Sequence, residues 1–588
     1  MRTTTIRNRP HAWVFHLALI GVAGAFGHAH AMLTVGPASD SACQYHDIAV
    51  AVQAAGQTSG PELIAISGGP WTGQTTITDH DADGLTIEGG FANCSAGIST
   101  GRSTLDGQGA VPAGPLIVHS GNGSLTLLHL VLQNGKGAVS SVVAGPLTLS
   151  DVLVYSNHAD YGGGLFVSGN DVFRMQLKLI GTSINSNSAT ANGGGMYLSK
   201  VDVAISGGSN ILANMATGSA TSDGGGIYAI DSNILVNDHS IYPYAFIGNN
   251  YAQRNGGGVY YSTTHAGNYE ILLWNDRAAQ PLIVSENTAQ SQGGAFYLSS
   301  ISSNQQIFSF AGFENAIIQQ NTAYEGAAFY TFSSGGSASV ATQIQLAQSQ
   351  VGDSIPACSA GIECNAINDN HSIGGAVVDV NAAGSSGSSA FLLYQGRMRG
   401  NRGGALIGGN AYMKIEGSLL AKNEIDQGGS LIYNLSNDLH IANSTIAYNT
   451  LAGSALFSVI LPPASLEILH SLLVQPNDPV AAYLVGVGVP VTLRDIGASS
   501  VSGMDTGINV QYLTDPFVNA NNGDFHISTT SSAVNRWAWN NDPNDLPPTI
   551  DLDGAIRPYS LYPVNTPYDF GAYEAGSVVD KIFANGFN

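Results

Sequence analysis

Basic side chains are scarce in this chain of 588 residues. It has 19 Lys and Arg against 41 Asp and Glu, a formal net charge of −22, and only 10% of its residues are charged. Phosphate backbones and anionic membrane surfaces are bound through clusters of Lys and Arg. Nucleic acid is therefore excluded as a partner, polyanionic sugars are disfavoured, and most of the surface must be neutral and polar.

Long apolar runs are missing beyond the N-terminus. The apolar stretch at residues 12–27 follows the arginines of residues 2–9 and precedes Ala29-His30-Ala31. It is shorter than the ~20 residues of a transmembrane helix, and the pattern is typical of a secretory signal peptide, here residues 1–31. We expect an exported protein, secreted or at the cell surface, with no transmembrane segment after cleavage. Cleavage of the signal peptide removes three arginines and lowers the net charge of the protein from −22 to −25. A membrane anchor is the alternative.

Cysteine is rare as well. The four residues are Cys43, Cys94, Cys358 and Cys364, and all follow the predicted cleavage site. An even number in an oxidising compartment indicates two disulfides. Sequence proximity favours pairing 43 with 94 and 358 with 364, although the other connectivities stay open and buried free thiols are the alternative. No CxxC motif or His cluster accompanies them, which argues against a zinc site.

Long amphipathic helical patterns are absent, and the chain has instead 73 glycines, many of them in a repeated cassette. Each copy has an Asn, a short polar stretch, a group of small residues that are mostly glycine, and an apolar or aromatic pair. The first glycines lie at positions 162, 193, 224, 256, 293, 326, 374, 403, 428 and 453. Self-similarity at this spacing indicates a solenoid with one coil per cassette.

Each residue type of the cassette has a predicted structural role. The glycines permit a positive φ and a close approach of neighbouring coils, and the apolar or aromatic residues after them are expected to stack in the interior. The Asn tolerates a left-handed backbone and can hydrogen-bond to the Asn of the coils above and below. The predicted turn ladder comprises Asn157, Asn187, Asn214, Asn249, Asn287 and Asn321 with Gly162, Gly193, Gly224, Gly256 and Gly293. A ligand-binding stripe along the Asn row is the functional alternative.

These roles predict an all-β chain. We expect a right-handed, single-stranded parallel β-helix over residues 42–500, with roughly 15–18 coils at a spacing of ~4.8 Å. A short helix within residues 42–57 should cap its first coil. Residues 501–588 are expected to form a small, irregular C-terminal cap. There Arg557 should pair with one of three acids, Asp551, Asp553 or Asp569.

The cassettes resemble the repeats of chlamydial polymorphic outer-membrane proteins, in which Phe-x-x-Asn pairs with Gly-Gly-Ala-Ile. Phe246–Asn249 matches the first element, and Gly293–Phe296 and Gly403–Leu406 approach the second. Most copies lack the Phe, so the match is to the wider class of bacterial β-helix proteins, over residues 152–457. The resemblance implies a right-handed β-helix used at the cell surface, often for adhesion.

The C-terminal region is similar to that of the choice-of-anchor Q proteins, which are exported bacterial β-helix proteins. The segments that carry the similarity, in chain order, are Asp515–Phe517, Gly523–Ile527, Ser531–Asn535, Asp551–Gly554 and Asp569–Glu574. The similarity implies sorting to the cell envelope or anchoring there.

Signatures of catalysis are sparse. Glycoside hydrolysis needs two carboxyl groups at a set separation, but the acids of this chain are scattered. One local cluster, Asp79, Asp81 and Asp83, is a weak candidate for binding Ca²⁺, and a solvated turn is its alternative.

We therefore expect a non-enzymatic, monomeric protein without a cofactor, for adhesion or for binding cell-surface glycans or proteins. A polysaccharide lyase or hydrolase and a purely structural envelope component are the alternatives. Ligand contacts are expected in the inserts between cassettes, above all in residues 326–374.

Overall fold

The computed structural model describes residues 31–57, 60–79, 84–108, 114–237, 245–274, 281–347, 365–435, 437–452, 455–462, 464–476, 484–485, 488–500, 507–538, 550–553, 557 and 567–575. Their strands form two large parallel sheets of 29 and 21 strands. Strands of successive coils pair with one another in parallel, so the chain is a right-handed parallel β-helix, as the cassettes predict. The predicted signal peptide lies outside the described residues except for Ala31.

The coils between residues 147 and 383 have four strands each, and one of them shows the plan. Met175–Ile180 and Ser183–Asn185 belong to the larger sheet, and Ser188–Asn192 and Met196–Ser199 belong to the smaller one. We name the four sets of equivalent strands rows 1 to 4, in this order. Side chains along each strand alternate between the interior and the outside, because successive residues of a strand point to opposite faces.

The larger sheet contains rows 1 and 2. Row 1 comprises Ala31–Val35, Glu62–Ser67, Leu85–Phe91, Leu125–Leu128, Leu147–Ser150, Met175–Ile180, Val201–Ser206, Asn233–Asn237, Gly267–Trp274, Ile307–Glu314, Val340–Ala347, Gly387–Tyr394, Tyr412–Glu416, Leu439–Ala442, Leu466–Val474, Val491–Ala498 and Ile508–Tyr512. Row 2 comprises Ser103–Asp106, Leu130–Gln133, Leu153–Tyr155, Ser183–Asn185, Asn210–Leu212, Ala245–Gly248, Leu282–Ser285, Ala316–Gln319, Ala366–Asn368, Arg397–Arg399, Leu419–Ala421 and Thr445–Ala447.

The smaller sheet contains rows 3 and 4. Row 3 comprises His158–Tyr161, Ser188–Asn192, Met215–Ala216, Tyr251–Ala252, Thr288–Ala289, Thr322–Ala323 and His371–Ser372. Row 4 comprises Thr75–Asp79, Ile117–Gly121, Val139–Val142, Leu165–Ser168, Met196–Ser199, Ile227–Ile230, Val259–Thr263, Phe296–Ser302, Phe329–Gly335, Ala376–Ala383, Arg402–Gly409, Glu424–Asn434, Ala455–Val459 and Leu484–Val485.

The interior is one continuous apolar core that extends from Val35 to Ala498. Its side chains stack in columns, because the parallel register places each apolar residue above its equivalent in the next coil. Leu149, Leu179 and Ile205 are one such column, and each is at most 2% exposed. Burying a side chain of this kind stabilises the fold by about 1.5–3 kcal/mol, so the stacked columns are the main source of stability.

A short helix, α1, covers the N-terminal end of the core, as predicted. It spans Ile48–Ala55 and buries Ile48 and Val52, and the side chain of Asp47 caps it by accepting the backbone N–H groups of residues 49 and 50. A disulfide joins Cys43 to Cys94, the pairing that sequence proximity favours, with an S–S distance of 2.09 Å. Parallel pairing begins earlier than residue 42, at Ala31–Val35. No helix among the described residues has the length and apolarity to span a membrane.

The C-terminal region begins after Ile508–Tyr512, the last strand that continues the parallel pairing. Two small antiparallel pairs follow in the described part of this region. Phe517–Asn519 pairs with Asp524–Ile527, around a 3₁₀ turn at Ala520–Asn522, and Trp537–Ala538 pairs with Pro567–Tyr568.

This C-terminal region packs against the side of the last coils. Phe525 and Phe570 share an apolar cluster with Leu472 and its neighbours on the coils. The backbone of the region also bonds to the coils, because Gly571 N–H donates to the carbonyl of His470 at 2.9 Å. The contact reaches back over several coils, since Arg397 donates to Oδ1 of Asp553 at 2.8 Å.

The ion pairs of the C-terminal region differ from the prediction. Arg557 pairs with Glu574, with 3.0 Å between Nε and Oε2, instead of with Asp551, Asp553 or Asp569. Its other nitrogens donate to the carbonyls of residues 569 and 571. The expected pairing was wrong because the chain folds residue 574 back over Arg557, and the order of the residues does not show this.

Candidate functional site

The Asn residues of the cassettes form a continuous ladder at the corner between rows 2 and 3. In each rung, Oδ1 of one Asn accepts the backbone N–H and the Nδ2 of the Asn one coil earlier. Asn187 accepts both from Asn157 at 3.0 Å. The ladder comprises Asn157, Asn187, Asn214, Asn250, Asn287, Asn321, Asn370, Asn401, Asn423 and Asn449, and each is at most 2% exposed. A row buried to this degree offers no contact to a ligand, and its role is to satisfy the backbone of the corner.

The ladder contains Asn250 and not the predicted Asn249. Asn250 Oδ1 accepts from Asn214, whereas Asn249 is exposed and has a φ of 53°. The left-handed backbone falls on the residue before each ladder Asn, which corrects the expectation that the Asn adopts it. These residues are Ser156, Ser186, Ala213, Asn249, Glu286, Gln320, Asp369, Gly400, Lys422 and Tyr448.

The glycines form the bend between rows 3 and 4, in the way that the cassette predicts. The first glycine of each strong cassette has a positive φ, from 58° at Gly162 to 71° at Gly193. The second glycine lies against the next coil. A Cβ on Gly257 would lie 2.5 Å from the carbonyl carbon and oxygen of Thr288. Only glycine allows neighbouring coils to approach this closely.

The apolar pair after the glycines points in two directions. The first member is buried, as Ile227 and Val259 show, and confirms the predicted interior column. The second member faces outward and is half-buried. The prediction had placed both members of the pair in the interior. We call the outward side chains the tyrosine row: Phe166, Tyr197, Tyr228, Tyr260, Tyr297 and Tyr330.

Neighbouring rings of the tyrosine row are stacked face to face. Their centroids are 4.7 Å apart between Tyr228 and Tyr260 and 4.8 Å apart between Tyr260 and Tyr297, with interplanar angles of 8° and 6°. The ring faces are therefore covered by one another, and the ring edges and hydroxyl groups are left toward the outside. Burial raises the pKa of these phenols, to about 12 for Tyr330, so the hydroxyl groups keep their protons at neutral pH.

A second row of polar residues borders the tyrosine row. It consists of the residue before the first glycine in successive cassettes, Asn192, Asp223, Asn255, Gln292 and Glu325. Asp223 is buried and paired with Arg254, which donates from Nε to Oδ1 at 2.9 Å. The Nε2 of Gln292 donates to Oε2 of Glu325 at 2.9 Å. Asp223 and Asn255 of this row are buried, and its other members are half-buried.

The tyrosine row ends at Tyr330, and its register continues to Asp379 and then to Gly408. Tyr433 lies in the following strand, and its ring extends back over the backbone of Gly408. A Cβ at position 408 would lie 2.0 Å from Cε1 and 2.7 Å from Cζ of Tyr433. The ring of Tyr433 therefore occupies the space that a side chain at position 408 would fill, and Ser458 of the next coil is in register with Tyr433 on its other side. This ring is half-buried.

Carboxyl groups lie beside this ring. Asp379 is 5% exposed and accepts a hydrogen bond from Nδ2 of Asn381 at 2.7 Å. Burial raises the pKa of Asp379 to about 7; the hydrogen bond from Asn381 opposes the rise and the nearby Glu325 carboxylate adds to it. The charges of Asp379 and Glu325 also raise the pKa of the Tyr433 phenol, after the larger effect of burial. We call Glu325, Tyr330, Asp379, Asn381 and Tyr433 the terminal cluster.

The other predicted site residues are not part of this cluster. Asp81, Asp83, Cys358, Cys364 and the side chain of Asp79 lie outside the described residues, as do residues 348–364 of the longest insert. One group of His, Cys, Asp and Glu within the described residues has the spacing of a metal site, Asp40 with Cys43 and Cys94. Its two sulfurs are joined in the disulfide, so they are not available as thiolate ligands.

The terminal cluster was not predicted from the sequence. Tyr330 lies in a cassette that the sequence shows clearly. Asp379 and Tyr433 lie in weaker cassettes, in which the aromatic residue after the glycines is replaced or shifted. A scan against protein-family models finds no match, and a search of curated proteins finds no similar sequence.

Proposed function

We propose that this protein is an exported, non-enzymatic binding protein whose ligand is a glycan, held at the terminal cluster. The observation that carries the proposal is the ring of Tyr433, which rests on Gly408 beside Asp379. The predicted signal peptide and the resemblance to surface β-helix proteins support the exported setting.

The chemistry of the terminal cluster suits a sugar. A pyranose ring has an apolar C–H face, which packs on an aromatic ring, and hydroxyl groups at its edge, which need polar partners. The half-buried ring of Tyr433 offers the first contact. The carboxylates of Asp379 and Glu325 and the amide of Asn381 offer the second. Apolar surface combined with a few placed polar groups is the usual composition of a small-molecule site.

The stacked part of the tyrosine row is a poorer platform. Its inner rings are in contact with neighbours on both faces at 4.7–5.3 Å, so no C–H face of a sugar can pack on them. The stack stabilises the coils, and its hydroxyl groups can extend the contact to further sugar units of a chain that lies parallel to the β-helix axis.

Binding of neutral and charged oligosaccharides to the purified protein tests the proposal. Tyr433→Ala should weaken binding roughly tenfold or more, because an aromatic contact of 1–2 kcal/mol is lost, and Tyr433→Phe should keep most of it. Tyr512→Ala is the control, since Tyr512 is 65% exposed on the last strand of row 1. The proposal is wrong if no glycan binds, or if Tyr433→Ala binds as tightly as the wild type.

One observation favours a second candidate, a glycoside hydrolase. An acid that keeps its proton near neutral pH, such as Asp379 with a pKa of about 7, next to a second carboxyl group is the pair that such enzymes use. Release of reducing ends from a bound polysaccharide, abolished in Asp379→Asn while binding persists, would support the hydrolase. Binding without turnover would support the binding protein.

A further inference from the structure

We infer that the C-terminal region is held on the β-helix by a pH-sensitive clasp, in which the ring of His526 lies between the carboxyl groups of Asp524 and Asp553. We use the name clasp for these three residues together with Arg397. The inference concerns the conformation of the C-terminal region and does not depend on the proposed glycan site. It follows from the protonation that the contacts of the ring require and from the position of Asp553 between the ring and the coils.

Both nitrogens of the His526 ring face carboxylate oxygens. Nδ1 lies 2.6 Å from Oδ1 of Asp524, and Nε2 contacts Oδ2 of Asp553. An ionised carboxyl group only accepts hydrogen bonds, and a neutral imidazole has a single N–H to donate. The three groups must therefore hold one proton more than a neutral ring beside two carboxylates. The ring is the most basic of the three groups, so the clasp contains an imidazolium that donates from both nitrogens.

This imidazolium connects separate parts of the protein. His526 lies in the strand Asp524–Ile527, whereas Asp553 lies in the segment of residues 550–553. The other oxygen of Asp553 accepts from Nη2 of Arg397, in row 2 of the coils, at 2.8 Å. Arg397 is 7% exposed, so little water can replace Asp553 beside it, and loss of that contact is costly. The clasp therefore joins the C-terminal region to the coils through alternating charges.

The other ionisable groups near the ring do not replace its charge. The titratable and charged groups around it are Asp524 on its own strand, Asp551 and Asp553 on residues 550–553, Tyr573 on residues 567–575, and Arg397 and Arg399 on the coils. Burial raises the pKa of the Tyr573 phenol, so this ring stays neutral. Three acids and two arginines therefore surround His526 among the described residues, and loss of its proton leaves an excess of negative charge.

The docked C-terminal region therefore holds a proton that the released region gives up more readily. An ordinary histidine is half protonated at about pH 6.5, and contact with two carboxylates favours the charged form. The stabilisation is fully present between about pH 4 and pH 6.5, and it is lost as the pH rises through the range in which the docked ring deprotonates. Mildly acidic medium should hold the C-terminal region tightly, and alkaline medium should loosen it.

Hydrogen exchange of the full chain, corrected for the intrinsic pH dependence of exchange, tests the inference. It compares peptides within residues 517–527 and 567–575 with peptides of the central coils. Protection in the C-terminal peptides should fall roughly tenfold or more between about pH 6 and pH 9, while protection in the coils changes less. In His526→Gln the protection should be low at both pH values, because glutamine carries no charge and can bridge the two carboxylates only weakly.

His129→Gln is the matched control. His129 also faces two acids, with Nδ1 3.1 Å from Glu88 and Nε2 3.8 Å from Asp151, but all three residues belong to the coils. This variant should keep the pH response of the C-terminal peptides.

Asp524→Asn is a second test that keeps both His526 and the contact between Asp553 and Arg397. With one carboxylate removed, the fall in protection should move to lower pH. The inference is overturned if the C-terminal peptides of the wild type keep the same protection at both pH values, or if the coils lose protection to the same extent. It is equally overturned if His526→Gln and Asp524→Asn both show the wild-type response, and Asp524→Asn alone decides if His526→Gln does not fold.

Discussion

Asn250 accepts two hydrogen bonds from Asn214, one from the backbone N–H at 2.9 Å and one from Nδ2 at 3.1 Å. Its own Nδ2 donates to the carbonyl of Ile211 at 2.9 Å. Asn249, its neighbour in the chain, is exposed and has the left-handed backbone of the corner. Two adjacent residues of the same type therefore have separate roles, one in the buried ladder and one in the turn.

Asn250→Ala should lower stability more than Asn249→Ala. The first change leaves two buried donors of Asn214 unsatisfied, at about 1–3 kcal/mol each. The second places Ala in a left-handed conformation, which costs about 1 kcal/mol. Solenoids can unfold in parts, so hydrogen exchange should be measured in the coils around residues 214 and 250 as well as global unfolding. Equal effects of the two substitutions would contradict the ladder assignment.

Gly257→Ala should be strongly destabilising, whereas Gly97→Ala should be nearly neutral. A Cβ on Gly257 would lie 2.5 Å from the backbone of Thr288, and nothing lies within 4 Å of a Cβ on Gly97. Relief of the clash requires the two coils to separate, at a cost of about 1–3 kcal/mol or more. Thermal unfolding of the two variants measures the difference. A stable Gly257→Ala protein would show that the coils tolerate separation at the bend.

Tyr260→Ala should lower stability without abolishing binding at the terminal cluster. Its ring is stacked between Tyr228 and Tyr297, at 4.7 and 4.8 Å. Each aromatic pair adds about 0.5–1.5 kcal/mol beyond burial. Unfolding by denaturant should show the loss, and Tyr512→Ala serves as the exposed control. If Tyr260→Ala removes glycan binding while the protein stays folded, the site extends along the row and not only over its end.

Stability should depend on pH through Asp379. Its pKa of about 7 in the folded protein exceeds the ordinary value of 3.8, so the folded state holds a proton that the unfolded state releases. The free energy of unfolding should therefore fall as the pH rises from about 4 to about 7, by at most about 4 kcal/mol, and be constant above that. Asp379→Asn should lack this component, and the difference between the two unfolding profiles isolates it. A difference that does not change with pH would show that Asp379 ionises normally.

The sequence was sufficient for the coil but not for the terminal cluster. Asn, glycine and the apolar pair have local roles, so their order predicts the corner, the bend and the strand in every strong cassette. The choice between Asn249 and Asn250 depends on which of them enters the corner, and composition does not decide this. Asp379 and Tyr433 become neighbours only because Gly408 lies between them in register and has no side chain. This arrangement involves residues from three coils. Because the inserts between the coils differ in length, the sequence does not show that these residues are in register.

The Asn ladder has a direction. Every side-chain carbonyl in it points toward the coil before, where it accepts, and every Nδ2 that donates to the next Asn points toward the coil after, from Asn157 to Asn423. The amide dipoles therefore add along the axis and polarise one another, as in other chains of hydrogen bonds. The β-helix is therefore electrically polar along this corner from Asn157 to Asn449, although no residue of the ladder carries a charge.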